Sequence, residues 1–245
     1  MNAQLNQLVQ RNRFLLALAR IVVLLRDRCH QKMWAMNRSG AVKRYLECHK
    51  VRKLQLGAGT NILEGWLNSD IYPSARGVVY IDAKRVFPFK SGTFDYVFSE
   101  HQIEHLTYNE GRSMVRECYR VMKPGGKIRI ATPNLETFVA LYTPKNNDIQ
   151  QRYIRWVVDK FLSQIGIYRA AFVINNAFFN CGHQFIYDRE TLQSILEDVG
   201  FIEMLYYLPG ESNTPVFQGI ESHGKSVGSE EMNRFETMVL EARRP

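Results

Sequence analysis

No run in this sequence is long and apolar enough to cross a membrane. The longest, FLLALARIVVLL at 14–25, has twelve residues and is broken by Arg20. A helix of that length spans roughly 18 Å, against roughly 30 Å of hydrocarbon core. The same arginine, with no small-x-small site directly after the run, argues against a secretory signal peptide. Cysteine is scarce. Cys29, Cys48, Cys118 and Cys181 are too far apart for a zinc ribbon or a redox pair, and a reduced, cytoplasmic protein is expected. The larger part of the chain also lacks a charge excess. Residues 1–53 hold 12 Lys or Arg and 2 Asp or Glu, whereas the remainder holds 20 and 22. The net charge of +8 therefore belongs to the N-terminal segment. A nucleic-acid-binding domain would carry a basic face of its own, so no nucleic-acid partner is expected.

What is present begins with that basic segment. Arg11, Arg13, Arg26, Arg28 and Lys32 flank the apolar run. The combination suits a helix lying on an anionic membrane surface. It equally suits a helix packed on its own domain or on a second subunit. Residues 1–50 are expected to be a helical extension, and residues 1–33 the place of a peripheral membrane contact or a homodimer.

From Lys53 the pattern becomes alternating α/β. KLQL is a short apolar strand running into Gly57-Ala58-Gly59. GWLNSDI ends near Asp70, GVVYIDA ends at Asp82, and FDYVFS is a fourth strand. NEGRSMVRECYRVM places Met114, Val115, Cys118, Val121 and Met122 at helical spacing. Pro124-Gly125-Gly126 stops that helix and KIRIATP is a fifth strand. Alternation of this kind predicts a parallel sheet with helices on both faces, and such sheets bind ligands at the carboxyl ends of their strands. A lone G-x-G is as often a plain strand-to-helix turn. Here acidic residues end the next two strands. No phosphate cradle of the G-x-x-x-x-G-K-[ST] type is expected, which argues against a P-loop nucleotide triphosphatase.

LQLGAGT, YIDAKRVFPFKSGTFDYVFSEHQIEHL and RECYRVMKPGGKIRIATPN, in this order, resemble a class I S-adenosylmethionine-dependent methyltransferase of the type 11-like group, over roughly residues 53–138. The resemblance implies a Rossmann-like sheet and S-adenosylmethionine as cofactor. It places Gly57, Ala58 and Gly59 along the methionine part, Asp70 on the ribose hydroxyls, Asp82 by the adenine and Ser99 at the reactive sulfonium. Only ten residues separate Gly59 from Asp70. That is too few for a full helix plus strand, so the first crossover is expected to be a turn.

His101-Gln-Ile-Glu104-His105 reads as H-x-x-E-H, a metalloprotease pattern. That chemistry needs a helix bearing both histidines, and the strand immediately before leaves no room for one. Quinone-biosynthesis O-methyltransferases resemble this region and carry E-x-x-E-H with a divalent ion. Here His101 replaces the first Glu, and no metal ion is expected.

Beyond the fifth strand, residues 148–180 have helical spacing, many aromatics and little turn punctuation, which suits a substrate lid at about 143–182 and equally suits extra core over the sheet. Asp188 reads as an N-cap and Gly200 as the end of a helix. FIEMLYY and FETMVLEAR read as a final antiparallel pair of strands. GHQFIYD and GESNTPVFQGIESHG resemble small methyltransferases of polysaccharide-assembly gene clusters. The expected architecture is thus an N-terminal extension at 1–50 and a methyltransferase domain at 51–245. The expected reaction is O-methylation of a sugar, glycan or glycolipid hydroxyl, with His105, His101 or His183 taking the proton. Methylation of an amine or a quinone-like phenol is the alternative enzyme reading, and a non-catalytic cofactor-binding scaffold the alternative of another kind.

Overall fold

The computed structural model describes residue 26 and residues 29–245. The apolar run at 14–25 and most of the expected membrane or dimer segment at 1–33 lie outside the described residues. A helix, α1, covers 29–48. Among the described residues no helix is long and apolar enough to cross a membrane.

Seven strands follow: β1 (Lys53–Leu56), β2 (Leu67–Asp70), β3 (Val79–Tyr80), β4 (Phe94–Glu100), β5 (Met122–Pro133), β6 (Ile202–Tyr207) and β7 (Thr237–Arg243). They form one sheet in the order β3-β2-β1-β4-β5-β7-β6. The first five run parallel, and β7 runs antiparallel to both β5 and β6. The order starts at β1 and winds outward in both directions. The strand order therefore reverses between β1 and β4, which opens a crevice at their carboxyl ends.

Helices cover both faces of the sheet, and the parallel strands are buried accordingly. Neighbouring residues of β4 show it. Val97 joins a core with Met114, Val115 and Cys118 of α2 (Tyr108–Val121) and with Leu192, Ile195 and Leu196 of α6 (Arg189–Val199). Phe98 points the opposite way, onto Trp66 and Phe217. A separate apolar cluster ties together α3 (Leu135–Ala140), α4 (Asp148–Phe161), α5 (Ala170–Phe179) and α8 (Glu230–Glu236), through Phe138, Tyr153, Val157, Val173 and Met232.

Local chemistry sets the ends of these helices. Thr107 and Glu110 form a capping box on α2. Asp188 accepts from Thr191 N at the start of α6, and Gly200 ends that helix at φ 105°. The β1–β2 crossover is a turn without a helix, as its length demands. Two expectations need correction. Met122 is no helix-face residue but opens β5, which carries Pro124-Gly125-Gly126 within it and shifts register against Phe94–Tyr96. Phe235 and Glu236 belong to α8 rather than to the last strand.

Contrary to expectation, a G-x-x-x-x-G-K-S spacing does occur, as GIESHGKS at 219–226. It is no phosphate cradle. It follows no strand and leads into α7 (His223–Ser226), which is only four residues long. The backbone N–H groups of Ser222 and His223 donate to the Glu100 carboxylate at 2.8–3.0 Å, so the donors a phosphate would need already hold an anion.

Candidate functional site

Two cavities meet at the end of β4. The first, of about 170 Å³, lies at the carboxyl ends of β1 and β2 and is lined by Gly57, Ser69, Asp70, Asp82, Gln102 and His105, among others. Gly57 and Gly59 stand at φ 66° and 50°, the left-handed region that suits glycine. A side chain at Gly57 would also strike Gln102, with a Cβ only 2.5 Å from its Cγ. The turn therefore approaches the chain at Gln102 closely. Asp70 accepts from Gly59 N at 2.9 Å and Tyr72 N at 2.8 Å. Asp82 accepts from Lys84 N and Arg85 Nε, both at 3.0 Å. Each carboxylate keeps further lone pairs for a ligand. Ser99 is buried at the end of β4, and neither its Oγ nor Gln102 Oε1 has a hydrogen-bond partner. Buried polar atoms of this kind call for a partner the protein does not supply.

The second cavity, of about 330 Å³, lies between β5, α4, α5 and α8. Phe138, Tyr153, Trp156, Phe161 and Val173 form apolar walls, and His101, Glu104, His105, His183, His223 and Glu236 form a polar end. None of its described lining residues is Lys or Arg. His105 lines both cavities.

The polar end is built by a sharp exit from β4. His101 adopts φ 45°, and its N–H donates to Ala131 O at 2.9 Å. A non-glycine residue in the left-handed region marks strain held by its surroundings. The single 3-10 turn Ile103–His105 (η1) follows. It is too short for a protease helix, and the two histidines of H-x-x-E-H diverge. His101 turns inward, with Nε2 3.0 Å from Thr237 Oγ1 and Nδ1 3.2 Å from Glu104 Oε1. Its ring also stacks on His223, centroids 3.6 Å apart. Burial works against charge on both members of the His101–Glu104 pair, but their contact outweighs it. The imidazole is raised above its ordinary pKa and the carboxyl lowered below its own.

His105 turns outward, with Nδ1 3.3 Å from Gly182 O and its ring 5.1 Å from that of His183. A carbonyl at Nδ1 fixes the tautomer that carries its proton there, leaving the Nε2 lone pair open. His183 Nδ1 is buried without a hydrogen-bond partner. Burial lowers the pKa of His183, with Glu104 opposing and His105 adding to the effect.

Of the residues expected from sequence, Gly57, Asp70, Asp82 and His105 thus line one cleft, with Ser99 at the end of the adjoining strand. His105 and His183 meet, and His101 is tied into the protein by both ring nitrogens. Sequence reading missed Gln102, Tyr153, His223 and Glu236. Tyr153 OH makes a short hydrogen bond to Glu236, which lies 3.7 Å from His223 Nε2. No local motif marks this trio, because its members come from α4, α7 and α8.

A doubly wound sheet with a reversed β7, and a glycine-turned cleft at the ends of β1 and β2, form the Rossmann-like fold of class I methyltransferases. Residues 54–130 match the family described as a methyltransferase domain. No curated protein matches the chain. Among solved structures, it is similar to a SAM-dependent methyltransferase from Archaeoglobus fulgidus at 19% identity, covering 83% of this chain and 91% of that one with a TM-score of 0.47. It is also similar to a phosphoethanolamine N-methyltransferase 2 from Haemonchus contortus at 17% identity, covering 84% and 51% with a TM-score of 0.40. Likenesses of this size say nothing of the acceptor.

Proposed function

We propose that the chain transfers the methyl group of S-adenosylmethionine to a hydroxyl of a sugar, glycan or glycolipid bound in the aromatic cavity. The observation that carries this reading is His105, which lines both the glycine-turned cleft and the aromatic cavity. In it, Gly57, Ala58 and Gly59 lie along the methionine moiety, Asp70 takes the ribose hydroxyls, Asp82 lies by the adenine and Ser99 borders the sulfonium. The orphaned Ser99 Oγ and Gln102 Oε1 fit a ligand rich in donors. The cofactor supplies an electrophilic methyl group. The protein holds the acceptor oxygen in line with it, and the polar end at Glu104, His105 and His183 promotes loss of the hydroxyl proton.

The walls support the acceptor class. Tyr153, Trp156, Phe138 and Phe161 offer ring faces to the apolar faces of a sugar or to a lipid-linked body. With no Lys or Arg among the described lining residues, charge does not favour an anionic acceptor such as a sugar nucleotide. On this reading α4 and α5, within residues 143–182, form the acceptor lid, and residues 1–50 are an extension on the domain at 51–245. The resemblance to methyltransferases of polysaccharide-assembly clusters points the same way. A phenol or amine is the second reading, favoured by the two carboxylates, Glu104 and Glu236, at the polar end.

The test is labelled methyl transfer into cell extracts separated into lipid, glycan and small-molecule pools. Label in the glycan or lipid pool, reduced by Trp156→Ala, is expected. Label confined to small phenols or amines would install the second reading. Absence of transfer with no binding of S-adenosylhomocysteine would end both.

A further inference from the structure

At the polar end of the aromatic cavity, Glu104, His105 and His183 each turn one ligating atom toward the other two, all within 4.8 Å. We infer that these three side chains form a site for a divalent transition-metal cation, open on its fourth side to the cavity. The inference rests on the reading of that cavity as the acceptor site and deepens it by naming what activates the hydroxyl.

The donor set is the first reason. Two imidazoles and one carboxylate, with a position left for substrate, form a ligand set of catalytic zinc. Nitrogen donors select zinc-like ions over magnesium, which prefers oxygen and water.

Support around the donors is the second. Metal-binding histidines pass their other N–H to a carbonyl or carboxylate, which fixes the ring and its tautomer. His105 has that arrangement, with Nδ1 on Gly182 O. The Glu104 carboxylate is steered on both oxygens, by the Thr132 hydroxyl donating to Oε2 at 3.0 Å and by His101 beside Oε1. Thr237 holds His101 in turn.

The third reason is the incomplete satisfaction of the donors themselves. His183 Nδ1 is buried and makes no hydrogen bond, and the ion-pair contact with His101 at 3.2 Å leaves Glu104 Oε1 further lone-pair capacity. With metal–nitrogen bonds of about 2.0–2.1 Å, tetrahedral ligands sit roughly 3.4 Å apart. The set would close by about an ångström or so on binding. His105 is solvent-exposed and gives the ion a way in.

This is not the H-x-x-E-H set that the sequence displays. His101 supports the carboxylate instead of binding, and His183, from the segment after α5, supplies the second imidazole. An ion at this place lowers the pKa of a hydroxyl that reaches it. The hydroxyl proton then leaves to solvent. The oxygen forms its bond to the methyl carbon, and the electron pair of the breaking carbon–sulfur bond stays on sulfur.

The full-length, metal-free protein should be titrated with Co²⁺, followed by its visible ligand-field absorption, and then with competing Zn²⁺. One ion per chain in a tetrahedral-type spectrum is expected. His105→Gln and His183→Gln should each weaken binding by at least the roughly 10- to 100-fold that loss of a mere supporting partner costs. Cys29→Ser with Cys48→Ser, both outside the cavity, should change nothing, and Cys181→Ser should leave the histidine dependence intact. Retained binding of S-adenosylhomocysteine shows that each variant is folded. No stoichiometric ion, affinity unchanged in both histidine variants, or binding that follows the cysteines would each overturn the inference. Failure of the native protein to bind S-adenosylhomocysteine would instead sink the proposed function and leave the cobalt result to stand by itself.

Discussion

Replacing Gly57 by Ala tests where the cofactor lies. Two costs can be worked from the structure. The residue sits at φ 66°, and a non-glycine residue there costs about 1–2 kcal/mol. The new Cβ would lie 2.5 Å from Gln102 Cγ and 2.9 Å from Gln102 Cβ, so that side chain must leave its rotamer for about another 0.5–1.5 kcal/mol. The sum is about 1.5–3.5 kcal/mol, against the 5–15 kcal/mol typical of a folded domain. The variant should stay folded with Tm lowered by about 3–14 °C. Gly77→Ala is the control, since Gly77 has φ 93°, nothing within 4 Å and no place in the cleft. It should pay the backbone cost alone. Calorimetric titration with S-adenosylhomocysteine then separates strain from site, with Gly57→Ala losing more than about tenfold in affinity and Gly77→Ala near native. Equal affinities in the two folded variants would refute the placement of the methionine moiety along Gly57–Gly59.

His105→Ala should lower turnover by on the order of 10²-fold or more while S-adenosylhomocysteine affinity stays near native, as read by initial rates and calorimetry. Arg129 is fully buried between Glu221 and Glu241, at 2.5 Å from each. Arg129→Met leaves two carboxylates unpaired and should cost about 3–5 kcal/mol in urea denaturation. Asp188→Ala removes the α6 cap and should cost about 1 kcal/mol. The Thr191 hydrogen bonds hold the Asp188 pKa below its ordinary value. Its contribution is therefore complete above the ordinary aspartate range and is lost as pH falls through the lowered folded value. An acid melt should show the native-minus-variant difference shrinking only there. Deleting residues 1–33 should abolish binding to anionic liposomes at low salt without changing cofactor affinity. Loss of a dimer in place of liposome binding would make the segment an assembly element.

The sequence by itself determined the sheet's parallel half. Short apolar strands, the first three ended by Gly or Asp, separated by turns or an amphipathic helix, admit few arrangements, because backbone hydrogen bonding and side-chain periodicity are local properties. Gly57, Gly59, Asp70 and Asp82 were legible for the same reason, each lying at the end of a strand the pattern announces. The α6 caps, Asp188 and Gly200, were legible because a cap is chemistry among residues three or four apart. Only the tertiary structure decided the polar end of the aromatic cavity. H-x-x-E-H suggested two histidines on one face, but the left-handed turn at His101 sends them apart. His101 goes inward to Thr237 and His105 outward to Gly182. His183 reaches Glu104 and His105 because the segment after α5 folds back on η1, where Gln184 N and Phe185 N donate to Glu104 O. Tyr153, His223 and Glu236 converge from three elements that only the packing of α4 and α8 on the sheet brings together. No spacing along the chain encodes such a meeting, since it is fixed by long-range burial and by contacts between residues dozens of positions apart.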